Sequence, residues 1–102
     1  ILHDAQYAYP ELDWPSEPWY DYTIAVTGGK TVGAAVMDHP KNPATLWHNS
    51  RTLWMLNPSI TAIAPVTIKP ESPLTLRYRV VVHDGPPAVD LLQKLSAEWR
   101  AR

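Results

Sequence analysis

Short apolar runs separated by proline and glycine pairs set the pattern of this chain. Residues 20–26 (Tyr-Asp-Tyr-Thr-Ile-Ala-Val) are β-branched and aromatic, which predicts a strand. Thr27-Gly28-Gly29-Lys30 follows, and paired glycines between two such runs predict a hairpin turn. The second predicted strand covers 31–37, where Gly33, Ala34 and Ala35 permit close packing. A loop with two prolines covers 38–46, a third strand is expected over 47–56, and Asn57-Pro58-Ser59 reads as a turn. Residues 60–68 are apolar but broken by Pro65, so they predict an edge strand or two short pieces. After turn residues 69–73, residues 74–83 alternate most clearly, with Arg77 and Arg79 set against Leu76, Tyr78 and Val80. Asp84-Gly85-Pro86-Pro87 closes that run.

From Ala88 the period changes. Val89, Leu92, Leu95 (with Leu91) and Trp99 recur at spacings of three and four, and Arg100 and Arg102 sit toward the dipole-negative end. This predicts an amphipathic helix over 88–101, its apolar stripe buried against the sheet or a partner. Residues 1–20, with Tyr7, Tyr9, Trp14, Trp19, Tyr20 and several prolines, read as an irregular arm or short edge strand. Regularly spaced strands finished by one helix predict an all-β class, a small jelly-roll or cupin-like β-sandwich. The expectation is a single domain over 1–102.

Composition narrows the chemistry. Net charge is −1 and the nine Lys and Arg are scattered, which does not indicate a nucleic-acid face. No apolar run reaches the ~20 residues of a membrane helix. The chain holds no cysteine, which excludes thiolate metal sites, a Cys nucleophile and disulfides. It opens on Ile1, read as a processed or trimmed start. Five Trp and five Tyr occur with no Phe, so every aromatic ring carries a polar handle. Such rings suit half-wet surfaces, including sugar platforms, and equally a core in which Trp and Tyr replace Phe.

Asp38-His39-Pro40-Lys41-Asn42-Pro43, followed by Trp47-His48-Asn49, is the most informative stretch. Two imidazoles at facing strand ends are a usual start for a transition-metal site, and polar strand caps are the plainer reading. Strand alternation makes His39 and His48 the preferred pair. His83 is a possible third ligand on what reads as a more solvated face, with His3 or Gln6 reaching across from the arm as alternatives to water. Copper, zinc and iron all suit such a donor set. Asp21, Asp38 and Asp84 offer carboxylates, each equally explained as a turn former, and Glu11, Asp13 and Glu17 leave a glycosidase acid pair open. No serine sits in a nucleophile elbow, and Gly28-Gly29 opens no phosphate loop.

Trp19-Tyr20-Asp21-Tyr22, residues 31–43, Trp47-His48, Leu56-Asn57-Pro58 and residues 76–85 resemble the closing half of a bacterial family labelled methane-oxygenase-like. The resemblance covers about residues 17–101, carried most specifically by DHPxNP, WH and RVVVHDG. The family's opening half has no counterpart here. A chain this short is also similar to compact copper-dependent enzymes that cleave cellulose oxidatively, which are minimal jelly-roll proteins. That resemblance implies a secreted or periplasmic, homodimeric copper oxidoreductase acting on cellulose or a related β-glucan, at chain ends. His39 and His48 would then hold the metal as the catalytic pair, with His83 beside them, and Trp14, Trp19 and Trp47 would stack on sugar rings. The alternative expectation is a non-catalytic carbohydrate-binding module whose histidines are structural.

Overall fold

The computed structural model describes residues 14–102. In chain order these hold β1 (Trp19–Val26), β2 (Lys30–Met37), β3 (Leu46–Trp47), β4 (Pro58–Ser59), β5 (Arg79–Asp84) and α1 (Val89–Arg100). The fold is thus mostly strands in antiparallel sheets with one C-terminal helix. β1 and β2 form the expected hairpin, with Trp19 opposite Met37 and Val26 opposite Lys30. Gly28 and Gly29 both take positive φ at its tip (84° and 73°), a backbone that side chains with a Cβ rarely adopt. β5 pairs antiparallel with the other edge of β2, giving a three-stranded sheet in the order β1-β2-β5.

Each face of this sheet is covered by a different element. On one face Trp19, Ala35 and Met37 are buried with Leu92 of α1, and Val81, Val89, Leu95 and Trp99 pack against them. The helix therefore lies on its own sheet, along the expected stripe. Leu91 is the exception, exposed on the helix's outer side, one residue from the buried Leu92. On the opposite face Tyr20 is buried between Trp14 and Trp47, with Val36 and Leu56 against them. The rings meet edge to face, at 5.6 Å for Trp14–Tyr20 and 4.9 Å for Tyr20–Trp47. Such pairs contribute about 1 kcal/mol each beyond the area they bury. The small β3–β4 sheet carries Trp47, and Trp14 bridges to it through paired backbone bonds of 2.7 and 3.1 Å.

Several expected elements differ. Residues 1–13 lie outside the described residues, so the arm is seen only from Trp14, and Trp19 and Tyr20 belong to β1. The strand expected over 47–56 ends at Trp47, and the chain then turns through 51–54. Asn57-Pro58-Ser59, read as a turn, supplies the two-residue β4. No strand forms over 60–68. The strand expected from Leu74 begins only at Arg79. Its first half lacks a partner strand, because the backbone of Arg77 bonds instead to a side chain, as described below. Among the described residues no helix is long and apolar enough to cross a membrane.

Candidate functional site

Two histidines occupy opposite ends of the helix-bearing face, and their surroundings differ. His83 lies on β5 opposite Gly33 of β2, and Gly33 lies opposite Thr23 of β1. Its imidazole crosses β2 to reach β1, with Nε2 2.6 Å from Oδ1 of the buried Asp21. The path exists because residue 33 is glycine. A Cβ there would sit 2.6 Å from two ring atoms of His83 and 2.7 Å from the Thr23 hydroxyl. Thr23 donates to the second carboxylate oxygen of Asp21, and Nδ1 of His83 lies 3.0 Å from the Gly85 carbonyl. Both ring nitrogens thus face oxygen acceptors, an arrangement satisfied only when both carry protons. Burial of the ring opposes its charge. Asp21, with the Gly85 and Asp84 carbonyls, outweighs that and holds the imidazole above its usual pKa of 6.5.

At the other end, His39 is buried near the start of the loop that leaves β2. Its Nδ1 accepts the Lys41 backbone N–H at 3.1 Å, which in the neutral ring places the proton on Nε2. Nε2 is buried with no hydrogen-bond partner among the described residues, and the ring stands edge-on to Trp99 at 5.1 Å. The rest of the DHPKNP stretch is a latch. Asn42 donates from Nδ2 to Asp38 and to the Arg77 carbonyl, both at 2.7 Å, and its Oδ1 accepts the Arg77 N–H at 2.8 Å. One amide side chain thereby stands in for a strand, tying the loop to the approach of β5. Asp38 also raises the pKa of Tyr78, second to the effect of burying that phenol.

His48 is half-buried beyond β3, and its N–H donates to the Asn57 carbonyl at 2.7 Å. Among the described residues no group of three or more His, Asp or Glu is placed to hold a metal ion. His3, Gln6, Glu11 and Asp13 lie outside those residues. Trp14, Trp19 and Trp47 require a correction as sugar platforms: all three are core residues at 2% exposure or less. Trp47 also spends its indole N–H on the Glu17 carbonyl, at 3.0 Å.

The exposed indole is Trp54, at 69% exposure, displayed by the turn that replaces the expected third strand. Trp54 takes φ 57°, the left-handed backbone that a bulky residue adopts only when its surroundings force it. Reciprocal Ser50–Met55 backbone bonds close the turn, and the Ser50 hydroxyl accepts the Leu53 N–H. Tyr22 props it from β1: its hydroxyl donates to the Arg51 carbonyl, and its ring lies parallel to Trp54, 6.3 Å away. A regular strand over 47–56 gives Trp54 no special place. The Ser-Arg-Thr string before Leu53 was the available turn signal.

With fold and geometry in place, relationships add one fact. Residues 4–97 match the Family of unknown function (DUF6807), and the chain belongs to that family. No curated protein and no solved structure matches it.

Proposed function

We propose that this chain is a carbohydrate-binding module in which Trp54 is the stacking platform and the histidines hold the fold. The observation that supports this is the exposed, left-handed Trp54, backed by the parallel ring of Tyr22 and a closed turn. A flat indole held this way offers an apolar plane to the axial C–H face of a pyranose ring, at little entropic cost on binding. The jelly-roll or cupin-like form of the sandwich belongs to the same proposal. It is supported by the packing of Trp47 and Leu56 over the sheet face opposite α1. β-Glucan as ligand, a homodimer and a secreted or periplasmic location rest on the resemblance alone.

The copper-dependent oxidative reading asks for imidazole nitrogens with a lone pair to give. As placed, His39 uses its Nδ1 lone pair on Lys41 and buries Nε2 behind Trp99, while His83 faces acceptors with both nitrogens. These two rings do not fit a resident metal, and no step is derived through one. Retention on cellulose and affinity for cello-oligosaccharides, compared with Trp54→Ala, test the proposal. A fall of about tenfold or more is expected, corresponding to the ~1.4 kcal/mol that one decade represents. Unchanged binding, or no binding by the parent chain, overturns it. Near-stoichiometric copper after chelation and reloading, lost on His39→Ala with His48→Ala, would restore the oxidative reading.

A further inference from the structure

We infer that His83 and Asp21 form a pH-operated clasp: the protonated imidazole ties β5 to β1 across β2, and deprotonation frees the end of β5. Neighbouring strands lie about 4.8 Å apart, so the two outer strands are about 10 Å apart and share no backbone bonds. The His83–Asp21 contact spans that gap directly, over the bare backbone of Gly33. A neutral imidazole has one N–H for two acceptors. On losing a proton, either the Asp21 or the Gly85 contact changes from a hydrogen bond to two lone pairs facing each other. Thr23 still donates to Asp21, so the carboxylate stays with β1 while the ring is released.

Among the described residues the charged surroundings are simple. From β1 the ring faces Asp21, and from β2 it meets Gly33, which has nothing to titrate. On its own strand the exposed Asp84 lines the neighbouring depression with Lys30. From α1 no ionisable side chain pairs with it; Asp90, in the first helical turn, is exposed. Release would widen the open depression of ≈ 390 Å³ lined by Val32, Gly33, Val82, His83 and Asp84. The raised pKa of His83 agrees in sign, keeping the clasp closed through the ordinary imidazole range and opening it only above that.

The test combines side-chain ¹⁵N NMR of His83 with amide hydrogen exchange on the whole chain from about pH 5 to about pH 9, normalised for intrinsic exchange. Protection at residues 81–84 should fall about tenfold as the ring titrates, while the β1–β2 amides toward Trp19 hold theirs. In His83→Gln, whose amide does not titrate, protection should be flat across the same range. Protection in the parent that ignores the titration, or a fall that persists in His83→Gln, overturns the clasp. If that variant does not fold, the parent decides alone: a ring singly protonated at about pH 5 contradicts the proposal.

Discussion

His39 and His83 are the same side chain on the same face of one sheet, at opposite ends of β2, yet they do opposite things. His39 is met by a donor, the Lys41 N–H, and uses its ring as an acceptor in a loop already pinned by Asn42. His83 is met by acceptors on both sides and serves as a cation spanning three strands. The His39 end is held mainly by neutral hydrogen bonds from one asparagine, and its strength should not depend on an imidazole charge. The His83 end is held by a charge-assisted contact that exists only while a proton is present. A histidine's role is thus set by what its partners offer, more than by the motif it sits in.

That contrast can be broken at four points. Asn42→Ala leaves the Arg77 N–H and carbonyl without partners and should cost about 3 kcal/mol, read as a lower denaturation midpoint at every pH. Gly33→Ala drives a methyl group into the His83 ring and Thr23, and should cost about 2 kcal/mol at low pH. His83→Gln sharpens the comparison most. Because the folded pKa is raised, its stabilisation is fully present below about pH 6.5 and lost as pH rises through the folded value. The variant should therefore be about 1.5 kcal/mol less stable than the parent in acid and nearly equal to it in alkali, by urea unfolding. Trp54→Gly is the smallest effect on stability, a gain of about 0.5 kcal/mol from relieved backbone strain, while saccharide retention is lost.

Parts of this were legible in the residues. Gly28-Gly29 between two β-branched runs specified the hairpin, and the change of period at Ala88 specified the helix, observed at Val89–Arg100. The local rules failed where a distant partner decides. Residues 74–78 alternate like a strand, but Asn42, 35 positions away, takes the Arg77 backbone groups. Strand alternation sets His83 with Arg77 and Arg79, on what reads as a solvated face. Register places it across Gly33 from Asp21, 62 positions away, and Arg79 lies over the Trp99 ring at 5.0 Å. The Trp residues expected at a wet surface make the core instead, because a sheet this small needs its largest rings to cover both faces. In the structure the DHPKNP stretch is a latch built on its asparagine.

The central claim is that these two imidazoles serve the fold through different hydrogen-bonding roles, His83 donating to oxygens and His39 accepting at Nδ1. The most direct measurement is long-range ¹H–¹⁵N correlation NMR of both rings near pH 6 in the metal-free chain, repeated with one equivalent of copper. The account predicts two protonated nitrogens on His83, an Nδ1 on His39 hydrogen-bonded to the Lys41 N–H, and no change in either spectrum on adding copper. A bare nitrogen on His83, an Nδ1 on His39 without the Lys41 hydrogen bond, or stoichiometric broadening of both rings by copper would contradict it.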